Sequence, residues 1–142
     1  MSKQINTEQY IQGFYIPKLA KLSDEIMKVL DISVSVYIKP LRIIYANEIG
    51  RAEKQGDQYI IYILPDFLRK DRISDDVISL FIHELWHIRQ MIDNRLNINS
   101  AQTVAIWEGI HYPMTIKYEN RPWEIEAKEM ELQYLEQIKA QI

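Results

Sequence analysis

The chain has 142 residues, of which 47% are hydrophobic and 26% charged, with a formal charge of −3 and no cysteine. That length suits one domain, residues 1–142, able to bury an ordinary core without disulfides. The acidic balance gives no footprint for nucleic-acid binding, and no apolar run approaches the roughly 20 residues of a membrane span. Without cysteine, thiolate metal sites and thiol catalysis are excluded, which leaves histidine and carboxylate as the available ligand types. Met1-Ser2-Lys3-Gln4 leads into no apolar signal region, so the expected location is cytoplasmic.

In chain order, Thr7–Tyr15 reads as a short helix broken by Gly13 and Pro17. From Pro17, the spacing of Leu19, Leu22, Ile26, Val29 and Leu30 predicts an amphipathic helix with the proline in its first turn. Val34–Ile38, Arg42–Ala46 and Tyr59–Leu64 carry aliphatic and aromatic β-formers and read as three strands. The polar stretch Asn47–Gln58, with Gly50 and Gly56-Asp57, reads as an exposed connection. Tyr59–Leu64, ended by Pro65, is either a sheet edge on which an extended peptide lies or an internal core strand. The charged run Arg69–Arg72 reads as solvated loop.

The next segment organises the chain. Ile78, Phe81, Leu85, Ile88 and Ile92 form one stripe at helical spacing, with Ser74 as N-cap and Asp75 and Asp76 at the positive end of the helix dipole. The helix is expected to start near Asp75 and end near Asp93-Asn94. It contains His83-Glu84-Leu85-Trp86-His87, which holds two of the chain's three histidines. Residues four apart share a helix face, so His83 and His87 can reach one ion, while Glu84 beside them is free to act as a base. Leu80 and Met91 flank this face, as they would on a central helix lining a cleft.

Asn97–Ser100 reads as a turn and Thr103–Met114 as an irregular strand or hairpin. A last helix, Pro122–Gln141, is expected with Asn120 as cap and an apolar stripe of Ala127, Met130, Tyr134 and Ile138.

A catalytic zinc site has three protein ligands and an open position, so two histidines need a partner. Asp93 stands six residues after His87 but points away on a straight helix, and Glu108 lies on a probable strand where a lone glutamate is usually exposed. Glu124 is in the first turn of the last helix, and Ala127 one turn on permits close approach to the motif helix. Glu126 is a further candidate, with a solvated helix position as the simpler reading. Glu124 is the preferred third ligand.

These residues resemble the gluzincins, zinc peptidases whose third ligand is a glutamate in a Glu-x-x-Ala or similar motif on a later helix. The phrase Arg121-Pro122-Trp123-Glu124-Ile125-Glu126-Ala127 and the small size are more closely similar to short phage- and prophage-associated metallopeptidases. The resemblance covers roughly Tyr59 to Met130. It implies zinc held by His83, His87 and Glu124, with Glu84 as general base, in an α+β zincin-like domain. That domain would pack a sheet of about three or four strands with an N-terminal helix, the motif helix and the C-terminal helix. Where thermolysin-like members place an aspartate that orients a zinc histidine, four residues after the ligand glutamate, this chain has Lys128, so that acceptor must come from elsewhere.

The expected chemistry is peptide hydrolysis on a peptide or protein substrate, with neither nucleic acid nor membrane as partner. His111, Tyr112 and Tyr118 are candidates to stabilise the oxyanion, and Tyr118 is preferred as nearest to Glu124 in the chain. Two other function classes stay open: an inactive or latent zincin-like metal-binding protein with a binding or assembly role, and a regulatory zincin that cleaves a repressor. The likeness to SprT-type repair proteases is confined to the zinc motif.

Overall fold

The computed structural model describes residues 5–7, 10–11, 14–15, 17–41, 49–65 and 73–142, with side chains from Leu19 onward. The elements are β1 (Ile5–Thr7), β2 (Tyr10–Ile11), β3 (Phe14–Tyr15), α1 (Pro17–Val29), β4 (Val36–Pro40), β5 (Gly50–Gln55) and β6 (Gln58–Ile63), then α2 (Asp75–Ile92), β7 (Leu96–Ile98), β8 (Val104–Trp107), β9 (Ile110–Pro113), a 3-10 turn (Tyr118–Asn120) and α3 (Pro122–Gln141). The fold is α+β, as expected. Among the described residues the largest sheet has the order β1-β4-β6-β5, with β1, β4 and β6 parallel and β5 antiparallel to β6. A second sheet, β7-β8-β9, is an antiparallel meander, and β2 pairs with β3.

Two expectations need correction, and one open alternative is decided. Part of Thr7–Tyr15 is extended, with Tyr10–Ile11 antiparallel to Phe14–Tyr15, because aromatic and β-branched residues favour strand pairing over the helix that their spacing suggested. Asn47–Gln58 is not simply a connection, since it contains β5. This strand lies at the edge of the described sheet, where only Ala52 is buried and Arg51, Glu53, Lys54 and Gln55 are tolerated because one side meets solvent. Tyr59–Leu64, in turn, is represented by β6, which has β4 on one side and β5 on the other and so is internal. Arg42–Ala46 and Arg69–Arg72 lie outside the described residues.

The helices follow their stripes. Leu22 and Ile26 of α1 are buried. Ser74 caps α2 by accepting the Val77 N–H at 3.3 Å, which satisfies one of the donors a helix start leaves open. α3 spans the expected residues, but Arg121 rather than Asn120 holds its N-cap position, and without a side-chain cap bond. Asn120 is engaged one step earlier, where its N–H closes the 3-10 turn on the Lys117 carbonyl at 2.9 Å.

α2 is the centre of the packing, with β5, β6, α1, β7 and α3 all against it. Ile78, Phe81, Leu85 and Ile88 supply its apolar face, and Ala127 of α3 is fully buried. No helix among the described residues is long and apolar enough to cross a membrane.

Candidate metal centre

Where α3 runs along α2, three side-chain atoms converge. His83 Nε2 lies 2.8 Å and His87 Nε2 2.9 Å from the same Glu124 Oε1, and the two Nε2 atoms are 3.2 Å apart. The imidazoles meet edge to face, with ring planes at 88°. One helical turn between the histidines puts both on one side of α2, and the first turn of α3 delivers the carboxylate.

The other ring nitrogens fix the protonation pattern. His83 Nδ1 donates to Glu131 Oε2 at 2.6 Å, and His87 Nδ1 to Gln90 Oε1 at 2.8 Å. The Gln90 amide has only one sensible orientation, because its Nε2 donates to the Trp123 carbonyl and to Glu126 Oε1. Both Nδ1 atoms therefore carry hydrogen, and each Nε2 faces the cluster, where in the metal-free fold a second proton shared with Glu124 holds the ring. A cation could take the place of those protons and meet the two Nε2 atoms and the carboxylate oxygen together.

This donor set fits a divalent ion. A tetrahedral ion with bonds of about 2.0–2.1 Å separates its ligand atoms by roughly 3.3 Å, so the three atoms, now 2.8, 2.9 and 3.2 Å apart, would spread by a few tenths of an ångström to hold it. His83, Glu84 and His87 also form a buried group whose candidate ligand atoms lie within 4.8 Å of one another. Glu124 Oε1, 2.8 and 2.9 Å from the two Nε2 atoms, completes a triangle with the histidines, and Glu84 stands beside it. A Cβ at Gly50 would stand 3.1 Å from Glu84 Oε2 and 3.0 Å from Leu80 Cδ1, so glycine lets the first residue of β5 pass close beside the carboxylate.

The electrostatics follow from burial and mutual charge. Burial lowers the affinity of His83 for a proton, but hydrogen bonds with Glu124 and Glu131 outweigh it and raise its pKa to about 10. His87 is shifted upward as well, with the charge of Glu124 overcoming burial. Burial pushes the Glu84 carboxyl up against the opposing pull of the histidines. Although burial acts to raise Glu124, the two histidines hold it well below the usual carboxylate range. These are the shifts of a metal-free cluster in which protons stand where a cation would.

Tyr118 joins the group from the 3-10 turn. Its hydroxyl donates to Glu124 Oε1 at 2.8 Å and lies 3.2 Å from His83 Nε2.

The other candidates are placed elsewhere. Asp93 ends α2 and binds Arg89, and Glu108 sits exposed in the β8–β9 turn against Arg95. His111 is exposed on β9, and Tyr112 packs its ring against Trp123. Glu126 accepts two bonds from Arg95, at 2.8 and 2.6 Å, and one from Trp86 at 2.7 Å, which braces the start of α3 against the end of α2.

Gln90 and Glu131 were not singled out from the sequence. Each carried a spacing signal: Gln90 is three residues after His87, and Glu131 is seven after Glu124, two turns along the same face. Glu131, rather than the residue at position 128, is the acceptor of the His83 Nδ1–H. Compared with protein-family models, with curated proteins and with solved structures, the chain finds no match.

Proposed function

We propose that this chain is a zinc-dependent peptidase of the zincin type, with His83, His87 and Glu124 as metal ligands and Glu84 as general base. The observation that carries the reading is the convergence of His83 Nε2, His87 Nε2 and Glu124 Oε1 within 3.2 Å of one another, with both outer ring nitrogens already committed to acceptors.

A divalent ion held there would supply Lewis acidity to a peptide carbonyl and lower the pKa of water towards neutrality. The chain's own groups do the rest. Glu84, buried and with a raised pKa, is suited to take a proton from the attacking water and return it to the leaving amine. Glu131 and Gln90 hold the histidine rings in the tautomer that offers Nε2 inward. β5 lies at the edge of the described sheet and begins beside Glu84, so an extended peptide added along it would bring its backbone past the base.

The test is bound metal per chain, measured on tag-free wild type, Glu84→Gln and Glu124→Ala, together with hydrolysis of a peptide library. Close to one zinc per chain is expected in wild type and Glu84→Gln, with loss in Glu124→Ala. Hydrolysis should fall by about 10²–10⁴-fold in Glu84→Gln. A wild-type chain that takes up no metal when zinc is supplied would end the proposal.

A further inference from the structure

We propose that Glu126 is a positioning residue of this centre: it sets the register of α3 on α2 that brings Glu124 to both histidines. The proposal rests on the reading of His83, His87 and Glu124 as ligands and adds to it the group that fixes where the third ligand stands.

α2 presents two parallel rows to the start of α3. His83 and His87 are one turn apart, and Trp86 and Gln90, each three residues further on, are one turn apart beside them. Glu124 Oε1 spans the first row, 2.8 and 2.9 Å from the two Nε2 atoms. Glu126 Oε1 spans the second row in the same manner, accepting the Trp86 indole N–H at 2.7 Å and the Gln90 amide N–H at 3.2 Å. Residues two apart on a helix differ by about 200° in direction, so the two carboxylates leave α3 on different flanks and reach different rows. The donors of the second row are unambiguous. An indole N–H only donates, and Gln90 Nε2 is identified by its other acceptor, the Trp123 carbonyl at 3.1 Å.

At this end of α3, apolar packing leaves the register loose. Trp123 turns its ring to the meander, with centroids 6.5 Å from Trp107 and 5.7 Å from Tyr112. Ala127 is fully buried but carries only a methyl group, which allows close approach and is too short to stop one helix sliding along the other. Ile138, the next buried residue of α3, lies about three turns further on. A slip of one residue displaces a helix by about 1.5 Å, enough to take Glu124 Oε1 out of reach of one histidine. Directional bonds from Trp86 and Gln90 to one oxygen oppose that slip. Glu126 is held in turn by Arg95, whose fork donates to its two oxygens at 2.8 and 2.6 Å. Arg95 has anchors of its own: its backbone N–H bonds the Gln90 carbonyl at 2.9 Å, its guanidinium lies 4.6 Å from the Trp107 ring, and its Nε donates to Glu108 at 3.2 Å. The place of Glu124 is thus referred, through Glu126, to the end of α2 and to the meander.

The experiment measures zinc affinity against a chromophoric chelator, and the visible spectrum of the cobalt(II) form, on the dialysed full chain. Wild type, Glu126→Leu, Glu126→Gln, Glu108→Gln and Ile88→Val are compared, each checked for folding by circular dichroism. Affinity is expected to fall by about 10–100-fold in Glu126→Leu. The loss should be smaller in Glu126→Gln, which keeps one oxygen for Trp86 and Gln90 but gives up the charge that Arg95 grips. The cobalt bands should shift in both. Glu108→Gln alters only the outer contact of Arg95, and Ile88→Val loosens the apolar face of α2, so both should bind zinc as wild type does. Should Glu126→Leu fail to fold, Glu126→Gln decides. Wild-type affinity and an unshifted cobalt spectrum in the folded Glu126 variants, even with a lowered denaturation midpoint, would overturn the positioning role while leaving the three-ligand centre standing. A wild-type chain that binds neither zinc nor cobalt would overturn both.

Discussion

The two faces of α2 are both buried and are held by different physics. On one, Phe81, Leu85 and Ile88 are fully enclosed and contribute through area removed from water, which has no preferred direction. On the other, His83, His87 and Gln90 are almost as enclosed, yet each polar atom that can be followed has a named partner on α2 or α3. One helix therefore serves as a structural beam on one side and, under the proposed function, as a ligand mount on the other. The first face should govern whether the chain folds, and the second what the folded chain can hold.

Phe81→Ala tests the separation with the largest expected effect. Removing a fully buried aromatic ring should cost about 3–5 kcal/mol in chemical denaturation. The loss should be the same with and without zinc, and the folded fraction should keep its metal affinity. A large change in affinity would mean that the two faces are mechanically coupled through the helix.

The next effect is a pH dependence that belongs to the polar face alone. His83 moves from an ordinary value of 6.5 to about 10 in the metal-free fold, because its bonds to Glu124 and Glu131 outweigh the opposing effect of burial. A folded-state pKa above the unfolded one gives stability that is complete below about pH 6.5 and is lost as pH rises through about 10. His87 has the same sign, as does Glu84, whose raised pKa makes ionisation costly in the folded chain. Glu124 has the opposite sign, but its contribution is lost only on acidification below the usual carboxylate range. Metal-free stability should thus decline from pH 6.5 to 9, by at most about 1.4 kcal/mol per pH unit for each proton difference. Zinc, which requires unprotonated Nε2 atoms, should stabilise more strongly over the same rise. A metal-free melting temperature that rises between pH 6.5 and 9 would contradict the charge pattern drawn for the cluster.

What the sequence made legible divides along the same line. The apolar face announced itself because Ile78, Phe81, Leu85 and Ile88 repeat at the helix period, a local property. His83, Glu84 and His87 were visible for the same reason. Glu124 could be preferred from its place at the start of α3 and the small Ala127 beside it, but its meeting with the histidines is a product of helix packing. Glu131 and Gln90 escaped because a hydrogen-bond acceptor is defined by where its oxygen points, and composition says nothing of that. β5 escaped because an edge strand beside solvent can carry Arg51, Glu53 and Lys54, which read as loop. Asn120 was a sound choice of cap by residue type, displaced when the 3-10 turn used its backbone one residue early.

The smallest effect is also the most selective. Glu131→Leu keeps an apolar body of similar length on α3 and removes only the acceptor of His83 Nδ1–H. The ring then loses the partner that fixes its tautomer, while Glu124 and His87 keep their places. Zinc affinity measured against a chromophoric chelator should fall by about 10–100-fold, with zinc content still near one per chain when the metal is in excess. Glu131→Gln should recover part of the loss, because an amide oxygen can still accept the Nδ1 hydrogen but no longer carries charge. Lys128→Ala, one turn after Glu124 and exposed, should leave affinity unchanged. If Glu131→Leu behaved like Lys128→Ala, the imidazole of His83 would be held by packing alone, and the polar face of α2 would differ from the apolar one in composition rather than in the way it is held.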